Sequence, residues 1–308
     1  MKVVVLSENT EGNAHCATEH GLCFYIETGA HKLLFDTGAS DLFIRNAETL
    51  GIDLNQVDTV VLSHGHYDHG GGIPSFLALN DHAKVYVPAA AFGPYYSMHT
   101  SGPKYIGLPE ELSGNPRLIP CEHTVDIDPS LRVFSDIDIL YPIPSANDSL
   151  KVKDGEQYIA DDFAHEQCLV ITENGHRYLF SGCAHHGIRN ILNRFRELYR
   201  TDPDAVFGGF HMMKKHGYTA EDIDQIIETA FALKKTSSQY YTCHCTGIEA
   251  YEGMKKIMEK QLNYLHSGDS VILVPNKTHG HGMPMHRFFA WGTVVCFALT
   301  MITGYKRR

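Results

Sequence analysis

The chain has 308 residues and a formal net charge of −10 at pH 7. That length can bury a substantial core, as one large domain or two small ones. The acidic balance, with no basic run before the last few residues, argues against a nucleic-acid surface built on phosphate contacts.

In chain order, residues 2–6 read as an apolar β-branched strand. Residues 22–27 and Lys32–Phe35 read as a hairpin around Thr28-Gly29-Ala30-His31. Asp36-Thr37-Gly38 closes its second strand. Leu42, Phe43, Ala47 and Leu50 give residues 40–50 a helical stripe, which Gly51 stops. Residues 59–62, Thr-Val-Val-Leu, predict a buried strand. It runs into Ser63-His64-Gly65-His66-Tyr67-Asp68-His69 and three glycines, with a helix to about Leu79 beyond.

Residues 84–87 form the next strand. Residues 89–122 are rich in Pro, Gly, Tyr and Ser and predict a long loop, a lid or substrate wall. There Tyr95, Tyr96, His99, Lys104 and Tyr105 either hold a planar or phosphorylated ligand or are ordinary surface. Leu131–Phe134 is a strand, and Asn174-Gly175 turns a hairpin of residues 167–172 and 176–181. A helix over Ile188–Tyr199 follows, then a strand over 205–210 ending at His211. Thr219 caps a helix to about Leu233, with Asp222 three residues on. Residues 240–243 form a strand ending at His244, residues 247–260 a helix, and residues 270–274 a last strand. This alternation predicts an α/β layered fold.

Within the histidine-rich stretch, alternate residues of an extended chain share a face, so His64 and His66 can reach one metal ion. Asp68 and His69 point to a second position nearby, as in two-metal hydrolytic sites. Imidazole and carboxylate suit Zn²⁺, and also Fe²⁺ or Mn²⁺. The plain alternative is a polar turn in a chain with 20 histidines. The eight cysteines (Cys16, Cys23, Cys121, Cys168, Cys183, Cys243, Cys245 and Cys296) form no regular framework. With no secretory signal at Met1-Lys2-Val3, a reduced, cytoplasmic setting is expected.

The histidine stretch resembles the metallo-β-lactamase superfamily, whose signature is His-x-His-x-Asp-His after a strand. More narrowly, the chain is similar to the branch named for the archaeal 7,8-dihydropterin-6-ylmethyl-4-(β-D-ribofuranosyl)aminobenzene 5′-phosphate synthase. The segments that carry this are Glu19-His20-Gly21, Leu34-Phe35-Asp36-Thr37-Gly38, residues 62–72, Ser181-Gly182-Cys183-Ala184-His185, Gly208-Gly209-Phe210-His211 and His244-Cys245-Thr246-Gly247. The resemblance implies a four-layer αβ/βα sandwich, two mixed β-sheets face to face with helices outside and the site at one edge between them.

It also implies two divalent metal ions, zinc first, with late ligands His185 and His244. One division gives His64, His66 and His185 to one ion and Asp68, His69 and His244 to the other. Asp68 would also act in catalysis by orienting hydroxide. Asp36 would support the metal loop; the lesser reading is a cap on the helix that follows, and both could hold. Many members have a bridging aspartate where this chain has Ser-Gly-Cys. Cys183 is there either a thiolate ligand or a small buried residue, the second reading being preferred. His211 and His20 either face substrate or are plain histidines; His165 and His186 are not required by the pattern.

The implied activity is metal-dependent hydrolysis of a small phosphorylated or ester-like metabolite by a metal-activated hydroxide. The alternatives are a transferase displacing pyrophosphate, like the branch's namesake, and a metal-binding sensor without turnover. Residues 1–274 make the catalytic domain and residues 275–287 a linker. Residues 288–308 form an apolar appendage whose 18 residues from 288 to 305 carry no charge, close to the roughly 17–25 of a membrane span. A projecting helix is expected there, with membrane association as one role and a packed or irregular end as the other. The sequence does not fix the oligomeric state.

Overall fold

The computed structural model describes residues 1–12 and 15–274, together with the backbone of the short strand Arg287–Phe288. β1 (Lys2–Ser7), β2 (Cys23–Glu27) and β3 (Lys32–Phe35) form an antiparallel meander, which β4 (Thr59–Val61) and β5 (Lys84–Pro88) extend in parallel. β6 (Tyr95–His99) and β7 (Gly102–Tyr105) then leave this sheet, and β8 (Leu118–Cys121) returns to its edge. β9 (Val125–Asp126) and β10 (Leu131–Phe134) begin the second sheet. β11 (Leu150–Asp154) and β12 (Gln157–Ala160) pair with the β6–β7 hairpin in a third sheet of four strands. The second sheet is completed by β13 (Cys168–Glu173), β14 (His176–Phe180), β15 (Ala205–Phe207), β16 (Gln239–Thr242) and β17 (Leu262–Tyr264), the last four mutually parallel. β18 (Ser270–Ile272) comes back to pair with β1, and β19 (Arg287–Phe288) pairs with β18.

The two large sheets pack face to face. Val5, Phe24, Phe35 and Val61 from the first meet Leu131, Leu169, Phe180, Phe207 and Tyr241 from the second. Phe180, Phe207 and Tyr241 stack in series, 4.8 and 4.7 Å between ring centroids. Alternation along each strand sends the neighbouring residues outward. Tyr25, Leu34 and Val60 pack beneath α1 (Leu42–Thr49) and, beyond a four-residue turn of helix α2 (Tyr67–Gly70), α3 (Ile73–Leu79). Val170, Leu179 and Val206 pack beneath α4 (Ile188–Tyr199), α5 (Ala220–Lys234) and α6 (Ile248–Met258). The result is the expected four-layer αβ/βα sandwich, each sheet buried on both faces, which is why its strands read as near-continuous apolar runs.

Two local expectations are corrected. Residues 89–122 are not a long loop but carry β6, β7 and β8. The β6–β7 hairpin is half exposed, so its residues show no clean alternation, and its own core is only Tyr95, Ile106, Leu150 and Phe163. The helix expected after the glycines is α3, and Gly72 at its start has no room for a side chain, which would collide with the Thr37 carbonyl and Phe43. Phe288, expected to open a helix, lies in a strand. The rest of the linker and appendage lies outside the described residues. Among those described, no helix is long and apolar enough to cross a membrane.

Candidate metal centre

Parallel strands end on a common edge, where α/β sheets place their ligands. β3 delivers Asp36, β4 the stretch from Ser63 to His69, β14 Cys183 and His185, and β16 His244. The turns are tight enough to force left-handed backbone at four non-glycine residues there: Asp36, Ala184, His211 and His244, with φ of 62°, 58°, 49° and 51°. Such conformations cost of order 1–3 kcal/mol each and persist where the surroundings over-determine them.

Five of the six expected ligands bring their donor atoms together from both sheets, while His66 lies beside His64 and His185, 4.6 and 5.0 Å between ring centroids, with its donor atom grouped with Asp161 and His165. His64 and His185 bring their Nε2 atoms to 3.2 Å, and so do His69 and His244. Asp68 Oδ2 lies 3.4 Å from His244 Nε2 and 3.8 Å from His69 Nε2. His66 is 4% exposed, and its buried Nε2 has no hydrogen-bond partner. Nitrogens bound tetrahedrally to one zinc at about 2.0 Å stand about 3.3 Å apart, so the observed spacings fit a shared cation. Donor atoms of His64, Cys183 and His185 fall within 4.8 Å of one another, as do those of His69, Cys183 and His244.

The surroundings fix each imidazole. Asp36 accepts hydrogen bonds from the Ser63 amide at 2.6 Å and its hydroxyl at 2.8 Å, and lies 2.6 Å from His69 Nδ1. It therefore supports the metal loop; the residue at the start of α1 is Asp41. Asn147 Oδ1 sits 2.9 Å from His185 Nδ1 while its amide donates to the His185 carbonyl. Asn9 Oδ1 sits 2.7 Å from His244 Nδ1. Each contact places a proton on Nδ1 and turns Nε2 inward.

Residues 165–167, set aside or unread in the sequence, form a buried bracket. His165 Nδ1 accepts from the Gly65 amide at 3.0 Å, and its Nε2 faces Asp161 at 3.2 Å. Glu166 accepts from the His185 and His186 amides and pairs with the His186 ring at 2.7 Å. Gln167 donates from its amide to Ser63 and from its side chain to Leu62. One tripeptide thus ties both donor loops. Glu8 likewise accepts from the His244 amide. A charged residue immediately before an apolar strand was the available signal for Glu166; Asn9 and Asn147 left none.

Burial, reinforced by neighbouring imidazoles, pushes His64, His66 and His185 far below the ordinary histidine range, so they are neutral, as ligands must be. Burial works against charge on His69 too, but Asp36 and Asp68 outweigh it and raise that ring to about 9. Against its own burial, Asp68 is held well below the carboxylate range by His69 and His244. This corner of the site is built around positive charge.

The donors open on a cavity of about 580 Å³ lined by residues of β6 and β7, the 145–150 segment and the 211–216 loop. His20 is half exposed, with Nε2 3.3 Å from Asp68 Oδ2. His211 lies 4.2 Å from the His185 ring, with its Nδ1 buried and unpartnered. Both line the cavity, as do His99 and Lys104. The tyrosines named with them are structural: Tyr95 packs on His165 and hydrogen-bonds the Ala90 carbonyl, Tyr96 meets Tyr105 and Tyr158 edge-on, and Tyr105 donates to the Leu108 carbonyl.

A sequence profile described as Metallo-beta-lactamase superfamily matches residues 18–212. The chain belongs to the metallo-β-lactamase superfamily. Within it, the chain is 26% identical over 288 residues to the 7,8-dihydropterin-6-methyl-4-(beta-D-ribofuranosyl)-aminobenzene-5'-phosphate synthase of Methanocaldococcus jannaschii, covering 87% of this chain and 95% of that protein. It is equally similar, at 26% over 262 residues, to a protein of the same archaeon described as uncharacterized, covering 83% and 94%. Both matches support the narrower branch of the superfamily. The crystal structure of Tm1679, described as a metal-dependent hydrolase of the β-lactamase superfamily, is 28% identical and superposes with a TM-score of 0.74, covering 89% of this chain and 100% of that one. Zinc-bound PqqB of Methylobacterium extorquens shares the superfamily fold at 14% identity and a TM-score of 0.53, covering 89% and 100%.

Proposed function

We propose that this chain is a metal-dependent hydrolase acting on a small phosphorylated or ester-like metabolite. What carries the reading is the pair of donor clusters, spaced as ligands and opening together on one cavity of metabolite size. His64, His66 and His185 would hold one divalent ion and Asp68, His69 and His244 the other, zinc being the first choice for so many imidazoles. Bound there, the ions supply Lewis-acid polarisation of a carbonyl or phosphoryl oxygen and hydroxide at neutral pH. The chain's own groups do the rest. Lys104, Lys215 and His216 line the cavity and attract an anionic substrate, while Lys214 is held by Asp222 at 3.2 Å. Asp68, between His20 and His244, orients the attacking water and passes its proton toward His20, which reaches solvent.

A transferase reading is supported about as well by the archaeal synthase, which this chain matches over almost its whole length. There the lysines and ions would grip a leaving pyrophosphate. Two incubations decide. Phosphate mono- and diesters and thioesters are offered with and without chelator, and a dihydropterin pyrophosphate is offered with an aminobenzene ribose phosphate. Chelator-sensitive hydrolysis in the first supports the hydrolase; a joined pterin–amine product in the second replaces it. Chelator-sensitive turnover in either removes the further alternative, a metal-binding sensor.

A further inference from the structure

Three protein donors per ion leave the fourth place of each open to water or substrate, as in catalytic sites. Two divalent ions a few ångströms apart repel each other, and an anionic side chain between them would offset that repulsion. Among the described residues no carboxylate fills that place: Asp68 groups with His20 and His244, and Asp161 with His66 and His165, so neither joins the two clusters. Cys183 does. Its Sγ is common to the His64–His185 and His69–His244 groups and stands 3.1 Å from His69 Nε2. The residue is 2% exposed and lines the cavity floor.

We propose that Cys183 bridges the two ions as a thiolate, in the role that a carboxylate commonly fills. This rests on the two-ion reading above. The S–H bond breaks as sulfur bonds to both ions, and the proton goes to solvent. Thiolate suits zinc and makes the pair softer than an all-oxygen bridge. Cys245, whose thiol faces the Cys183 carbonyl at 3.6 Å, shapes the pocket around the bridge without joining both clusters.

The test is stepwise Co²⁺ titration of chelator-stripped protein, read by near-ultraviolet thiolate-to-cobalt charge transfer and by bound metal. In the wild type and in Cys245→Ser the band should grow through both equivalents. Cys183→Asp should bind two ions with no band. Cys183→Ser should lose the band and bind its second ion about 10–100-fold more weakly. Two ions without a band, growth confined to one equivalent, or a band that survives in Cys183→Asp each overturns the bridge and leaves the hydrolase reading intact. A wild type that takes up fewer than two ions overturns the two-ion reading and the bridge with it.

Discussion

His64 and His185 hold their Nε2 atoms 3.2 Å apart although 121 residues separate them and they stem from different sheets. Both rings are kept neutral by burial. Two inward nitrogens at that spacing suit a shared cation. The purified chain should therefore carry up to two transition-metal ions by elemental analysis. His64→Ala combined with His66→Ala should leave at most one and lower turnover by at least about 100-fold; unchanged metal and turnover would refute the site.

Asp36→Asn should separate charge from shape. Asn tolerates the left-handed backbone at this position, and its oxygen can still accept from Ser63. The ring of His69 loses the carboxylate that orients it. Metal affinity measured by chelator competition should fall about 10–100-fold, and stability by about 1–3 kcal/mol.

Stripped of metal, the protein should be most stable near neutral pH. His64, His66 and His185 are neutral when folded but take up protons when unfolded below about 6.5. Falling pH therefore destabilises the fold, by about 1.4 kcal/mol per pH unit for each proton gained on unfolding. The raised His69 acts in the opposite sense. Its contribution is full below about 6.5 and is lost as pH rises through about 9. Denaturant midpoints across pH 5 to 10 should show a maximum, and Asp36→Asn should flatten its alkaline side.

Thr219→Ala removes one arm of the capping box on α5 and should cost about 1 kcal/mol. Asp222→Ala should cost more. That carboxylate also takes the Ser145 hydroxyl and the Lys214 ammonium, joining two walls of the cavity. Thermal melts of the two variants would rank them.

Lys104→Ala should raise KM for a phosphorylated substrate several-fold and leave metal content unchanged, because Lys104 lines the cavity on β7, away from the donor clusters. Equal loss with a neutral ester would count against an anion-attracting role.

The parts of this protein visible in the sequence are those with local periodicity. Lys32–Phe35 needed only its apolar run, Asn174-Gly175 its turn chemistry and Thr219 its partner three residues on. The donor loop was legible because four donors fall within six residues. His185 and His244 were assigned through family resemblance, since a single histidine after a strand has no periodicity to mark it. The third sheet escaped notice because β6 and β7 draw stability from β11 and β12, about 50 residues away. Asn9, Asn147 and His165 escaped for a related reason. Each acts through one or two hydrogen bonds to a loop distant in sequence, and no pattern of neighbours announces that.

The proposed donor clusters each take groups from both sheets, with His244 the last in the chain. A growing polypeptide therefore offers only the compact loop from His64 to His69 until β14 has been made and has brought His185 to it, and the second cluster waits for β16. Ion capture is then a late step of biosynthesis, and it ties the first sheet to the second like a rivet driven after the plates are aligned. Metal supply would act on how long the finished chain survives in the cell more than on whether it reaches its shape.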